Sequence, residues 1–296
     1  MAYYSGSAVD MAAVRTALVS ACTADGWSWD SFAEVLSKDG VFVRLRVQDG
    51  YLELLGRTSA SGGAAPGVVR MGPMIADAMT YPVSYDVFVF EAEVYMVINY
   101  SVDRFQFCGF GKSTAQGLPG TGNWVMATQG NTPPNVGFTI DATSGGSSGY
   151  ITATPMPFWG TIRGSLSSGA NDNWWLHADL DGMGWLPATN ANASAVGVSA
   201  AAPLIGLLPN SWNSEAVLLP IRVFQQRTPN KNSLTAELLN ARWTRNDNYD
   251  PGQVVDIGGD RWKIFPGYVK NILARNGVNR GFHSGTFAWA VRYEGP

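Results

Sequence analysis

The chain has 296 residues, with 20 Lys plus Arg against 23 Asp plus Glu, and only 15% of it is charged where ordinary globular chains carry roughly 25%. Its 46% hydrophobic content, with 11 Trp, 11 Tyr and 13 Phe, supplies ample core material and excludes a disordered polymer. With a net charge of -3 and only 20 Lys plus Arg, a broad basic stripe that neutralises nucleic-acid phosphates is not expected. The 34 Gly and 16 Pro follow no three-residue period, which excludes collagen and implies many turns. No stretch of about 18 apolar residues occurs, and MAYYSGSAVD has no basic segment followed by an apolar run, so neither a membrane span nor a signal peptide is expected. Cys22 and Cys108 are too few for a disulfide framework or a zinc site, and both read as buried thiols.

In chain order, residues 9–24 place Val9, Ala13, Val14, Ala17, Leu18 and Cys22 at helical spacings, with Asp10 or Ser7 to cap the start and Gly26 the end. After residues 27–29 the period becomes two, in three runs separated by Lys38-Asp39-Gly40 and Gln48-Asp49-Gly50. Asp-Gly predicts hairpins because the turn needs positive φ. Val41, Val43, Leu45 and Val47 face one way, and Phe42, Arg44 and Arg46 the other. That alternation predicts an antiparallel meander with one covered face and the helix as its cover.

Residues 1–58 therefore read as a small α/β module and 58–67, rich in Ser, Gly and Ala, as a loop or linker. A central region, 68–188, opens with three strand-like runs between Tyr81 and Phe110, turning at Glu91-Ala92-Glu93, and becomes loop-rich beyond Gly111. A further Ala/Ser-rich loop, 189–202, leads to a strand-rich region, 203–296, that can form one unit with the central one. The fold class is mainly β (α+β), with an N-terminal helix packed on an antiparallel meander, followed by loop-rich antiparallel β-sandwich or barrel-like sheets. No repeat of fixed period supports a propeller or solenoid.

Residues 109–114, GFGKST, carry the Gly, Lys and Ser of a phosphate loop. The Gly that should open such a loop falls at Gln106, and the following AQGLPGTGNW cannot start a helix, so nucleotide binding is not expected. His177 and His283 lie in separate segments without a catalytic pattern and read as packed or hydrogen-bonded residues. The acids Glu91 and Glu93, like Asp179 and Asp181, fall two apart, which does not establish the separation of a glycosidase pair. They read as exposed turn acids, as do Asp247, Asp250, Asp256 and Asp260, and the last group lacks the spacing of a calcium hand. Neither a metal nor a cofactor is expected. The sequon Asn192-Ala193-Ser194 matters only in a secretory compartment. More informative are Trp124, Trp159, Trp174, Trp175, Trp185, Trp212, Trp243 and Trp262, which exceed what a thin sheet core can hide. They are candidate anchors at subunit interfaces, with a stacking platform for sugars as the competing reading.

Several stretches resemble virion structural proteins of tailed bacteriophages, particularly phages of proteobacteria: MAYYSG, the helix ending in GW, EVLSKDGVFVRLRV, VYMVINYSVDRFQFCGFGKS, GTGNWVMAT, NDNYDPGQVVDIGGDRWKIFP and HSGTFAWAVRY. These are spread over most of the chain, with 130–230 the least distinctive part. The resemblance implies a non-enzymatic component of the tail, neck or baseplate, folding in the host cytoplasm and residing in the virion. Its partners would be copies of itself and neighbouring virion proteins, with no membrane or nucleic acid among them. It carries no catalytic residues over, and it makes 109–114 a structural strand exit. One alternative is a receptor-binding or carbohydrate-binding tail protein that takes host glycan on Trp174, Trp175 and Trp185. A second is a polysaccharide-degrading enzyme.

Overall fold

A computed structural model describes residues 1–73, 78–130, 156–158, 173–187, 195–196, 217–227, 231–274 and 283–296. In chain order the elements are β1 (Ala2–Ala8), α1 (Met11–Ala24), β2 (Ser28–Asp30), β3 (Val35–Lys38), β4 (Val41–Gln48), β5 (Tyr51–Arg57), β6 (Val69–Met71) and β7 (Val83–Val89). There follow β8 (Glu93–Ser101), β9 (Arg104–Lys112), β10 (Asn123–Ala127), β11 (Gln129–Gly130), β12 (Trp174–His177), β13 (Trp185–Pro187) and β14 (Ala195–Val196). The last are β15 (Leu219–Arg227), β16 (Lys231–Arg245), β17 (Val254–Ile257), β18 (Asp260–Pro266) and β19 (Phe287–Arg292).

The local elements form for the reasons their sequence carries. The extended Asp10 accepts the Ala13 amide at 2.7 Å and starts α1, a cap that typically contributes about 1 kcal/mol. The helix turns Met11, Val14, Leu18, Ala21 and Cys22 inward. At both Asp-Gly pairs the two residues adopt positive φ, 48° and 84° at Asp39-Gly40 and 52° and 81° at Asp49-Gly50. The hairpins are therefore tight, with Lys38 opposite Val41 and Gln48 opposite Tyr51.

Three antiparallel sheets result. The central one runs β1-β7-β8-β9-β10-β12-β13, the N-terminal one β11-β6-β5-β4-β3-β2, and the C-terminal one β14-β15-β16-β19-β18-β17. Alternation along the central strands divides their side chains between two interiors. Val94, Met96, Ile98, Cys108, Phe110 and Val125 join the helix and N-terminal sheet, whereas Tyr95, Val97, Phe107, Trp124 and Met126 join the C-terminal sheet. A sheet covered on both faces has no solvent side, so β8 reads as an almost unbroken apolar run.

The boundary expected at residue 58 does not separate two units. β1 pairs with β7 along its whole length, and β6 and β11 complete the N-terminal sheet. The stretch 58–67 is the folded connection from β5 to β6, closed by Thr58 N–H to Gly63 O at 3.1 Å and Ala65 N–H to Gly56 O at 2.8 Å. A single 14-residue helix cannot cover a six-stranded sheet, and the central sheet covers the remainder. The C-terminal strands share one core with the central ones, where Trp289 lies 5.4 Å from Phe107 and 5.9 Å from Tyr95 between ring centroids. Trp289→Ala is expected to lower stability by about 3–5 kcal/mol in urea unfolding. A loss under about 1 kcal/mol would show that this interior is not a close-packed core.

Candidate functional site

Six of the eight tryptophans singled out in the sequence are core residues. Trp124, Trp174, Trp175, Trp185, Trp243 and Trp262 are at most 7% exposed, while Trp159 and Trp212 fall outside the described residues. The expectation of surface anchors fails for these six because a three-sheet stack has two interiors to fill instead of one thin core. Phe158 links Trp124 and Trp174 in a chain of ring contacts at 5.2 Å, Trp243 donates its indole N–H to Pro157 O at 3.0 Å, and Trp185 donates to Gly63 O at 2.9 Å. A sugar platform built from Trp174, Trp175 and Trp185 is likewise overturned, since these faces are enclosed.

The carboxylates divide differently from the sequence expectation. Glu91 is exposed, but Glu93 begins β8 and is 1% exposed. Opposite it the β15–β16 register jumps, with Pro220 facing Arg242 and Arg222 facing Glu237, so the segment between bulges out of the sheet. The Glu93 carboxylate accepts the Leu239 amide at 2.8 Å, the Asn240 amide and side-chain amide each at 2.9 Å, and the Tyr95 hydroxyl at 3.1 Å. Arg242 donates to the carbonyls of Leu238, Leu239 and Ala241. Burial raises the Glu93 pKa against the opposing effect of these hydrogen bonds.

Residues 109–112 are the paired end of strand β9, and Ser113 and Thr114 lead out of it. A Cβ on Gly111 would lie 2.3 Å from Ala92 O, so glycine there serves close strand approach. Ser113 Oγ accepts the Glu237 amide at 3.2 Å, and Thr114 donates to Glu237 O from its amide and its hydroxyl. These groups tie the end of β9 to β16.

Most of the other acids and both histidines singled out in the sequence have partners. Asp179 accepts the Gly184 amide, Asp181 pairs with Arg227, Asp247 with Arg245, Asp256 with Arg261, and Asp260 with Arg292, while the Gln253 side chain accepts the Asp250 amide. His177 Nδ1 accepts the Thr121 amide at 3.0 Å, which requires the neutral ring, and burial lowers its pKa. His283 Nδ1 accepts the Gly285 amide at 3.1 Å. Cys22 and Cys108 are buried, and burial pushes both thiols up, away from the reactive thiolate. The sequon 192–194 lies outside the described residues. Among the described residues no three His, Cys, Asp or Glu converge to hold a metal, and no helix is long and apolar enough to cross a membrane.

The open surface with distinctive chemistry is the outer face of the N-terminal sheet. The meander directs Phe42, Arg44 and Arg46 outward, and pairing sets Arg57 opposite Phe42, Leu55 opposite Arg44, and Glu53 between Arg46 and Arg70. Arg70 lies over the Tyr51 ring at 3.5 Å, and burial lowers its pKa to about 10. Burial, together with the charges of Arg46 and Arg57, lowers the Arg44 pKa. Beside this face is a cleft of about 400 Å³ between the β3–β4 turn and the loop after β9, lined by Phe42, Thr58, Lys112, Ser113 and Thr121 among others. Arg44 and Arg46 were visible in the sequence as the polar side of an alternating strand. The convergence of Arg57 and Lys112 on Phe42 is set by pairing and layering, for which no local signal exists.

The chain matches no protein-family model and no curated protein.

Glu93→Ala would leave the Leu239 and Asn240 amides without their acceptor and is expected to cost about 1–3 kcal/mol for each in urea unfolding. A cost below about 1 kcal/mol would contradict the clamp. Because the folded pKa is raised, the folded chain holds the Glu93 proton to higher pH than the unfolded chain does. The stability of the native protein minus that of Glu93→Gln is therefore expected to be greatest below the ordinary glutamate value and to decline as pH rises through the raised one. A difference that increases with pH would contradict this direction.

Proposed function

We propose that the chain is a structural and assembly component of a tailed-phage virion, placed in the tail, neck or baseplate and acting through protein–protein interfaces. The observation that carries the interface role is Phe32. Its side chain is 100% exposed, yet the turn that presents it is tightly held. Asp30 Oδ1 accepts the amides of Phe32 and Ala33 at 2.9 and 3.0 Å, and Glu34 accepts Leu45 N–H through its carbonyl at 2.8 Å. The Glu34 carboxylate also takes Arg15 at 2.8 Å and Arg46 at 2.9 Å, and its pKa falls chiefly through the Arg46 hydrogen bond.

A fully exposed aromatic ring on a held backbone turn next to β2, the edge strand of its sheet, suits a partner that adds to that edge and covers the ring. Burying a Phe side chain contributes about 1.5–3 kcal/mol, and little ordering cost remains when the turn is already set. The phage assignment rests on the resemblance spread along the chain. The interface role rests on Phe32 and the open edge.

Phe32→Ser touches nothing in the folded chain, so stability is expected to change by at most about 0.5 kcal/mol. Copies of the variant per purified particle, counted by quantitative mass spectrometry after complementation of a phage lacking the native gene, should fall clearly below native. Undiminished incorporation would remove Phe32 as an anchor. Absence of the native chain from purified particles would overturn the assembly role.

A further inference from the structure

We propose that the outer face of the N-terminal sheet, where Arg44, Arg57 and Lys112 gather around Phe42, docks a carboxylate-rich segment of a neighbouring polypeptide. The inference deepens the assembly role and rests on it. The face carries Arg44, Arg46, Arg57 and Arg70 against Glu53, with Glu34 and Asp49 at its margins. Glu34 is engaged by Arg15 and Arg46, and Glu53 sits between Arg46 and Arg70. Among the described residues no carboxylate forms an ion pair with Arg44, Arg57 or Lys112. The chain as a whole has more carboxylates than cations, so this local excess is a feature of the face and not of the composition.

Three observations select an acidic polypeptide as the occupant. First, the cations on the sheet itself are arginines, whose planar forks match carboxylates in a bidentate manner. Second, the Nε–H groups of Arg44 and Arg57 are enclosed and unpaired, with Arg57 held through Nη1 by the Ala60 carbonyl at 2.8 Å, so part of their desolvation is already incurred in the free protein. Third, Phe42 and Leu55 stand between the cations and are half-buried, so a segment alternating acidic and apolar residues would meet both chemistries. Side chains two residues apart on β4 stand about 6.8 Å apart, and alternate side chains of an extended segment laid along it repeat at the same interval. The cleft holding Lys112 gives that segment a place to end.

The test is binding of oligo-L-glutamate to the purified full chain by isothermal titration calorimetry at low and moderate salt, beside an oligodeoxythymidylate of equal charge. Binding is expected for the peptide, weakening as salt rises. The triple variant Arg44→Gln, Arg57→Gln, Lys112→Gln is expected to bind at least about tenfold more weakly while keeping its native melting transition. Should that variant fail to fold, Lys112→Glu at a solvent-exposed position carries the test, with a several-fold loss expected.

No peptide binding at low salt, or binding unchanged by the substitutions, overturns the proposal. Tighter binding of the oligonucleotide overturns it in favour of a nucleic-acid surface. If native particles contain the chain but the peptide does not bind, the acidic partner fails and the assembly role stands. If the peptide binds but particles lack the chain, the assembly role fails and the acidic docking face stands.

Discussion

Between Glu237 and Arg242, β16 leaves the register of its neighbour, and the amides of Leu239 and Asn240 are answered from another layer by the buried Glu93 carboxylate. A carboxylate in such a place is stable only if its oxygens are filled, and four donors fill them. This contact ties the C-terminal sheet to the central one across their shared aromatic core. It sets where β16 may sit, and with it the strands β15 and β19 that pair to either side. Ser113 and Thr114 repeat the device a few residues along β16, and the Lys263–Asp86 pair at 2.6 Å, joined by Tyr3, does so toward the β1 and β18 side.

The other interior is built on the same plan. Gln106, buried on β9, exchanges two hydrogen bonds with Gly72 at 2.8 and 2.9 Å, as a strand neighbour would, and Gln129 donates to the same carbonyl at 3.0 Å. Asn123 reaches Gly40 O and Arg57 O at the opposite end of the N-terminal sheet. Aromatic and aliphatic packing is strong but non-directional, so two flat apolar interfaces could slide. A few enclosed polar side chains aimed at backbone groups select one arrangement. The exposed chemistry follows from this order, because a meander locked by its inner face presents Phe42, Arg44 and Arg57 at fixed positions on its outer one.

The parts legible in the sequence are those decided within a few residues. Asp10 and the helical spacing located α1, both Asp-Gly pairs located hairpins, and alternation in β4 separated Val43 and Leu45 from Arg44 and Arg46. What could not be read depends on distant partners. Glu93 has the neighbours of a turn acid, and only the bulge in β16, some 146 residues away, makes it a buried clamp. The tryptophans looked too many for one core because the second interior comes from strands pairing across long stretches of chain. The separate module expected over 1–58 failed for the same reason, since β1 finds its partner at β7. Phe32, inside WDSFAE, carries no pattern that distinguishes an exposed ring from a packed one.

The most direct test of the Glu93 clamp is amide hydrogen exchange of Leu239 and Asn240 in the native chain, followed by NMR. Residues in a bulge with no strand partner would ordinarily exchange through local opening. If Glu93 holds them, both amides exchange only with the free energy of global unfolding, in step with core amides such as that of Val97 in β8. Exchange of either through low-energy local opening, while Val97 remains protected, would show that the clamp does not hold the layers together.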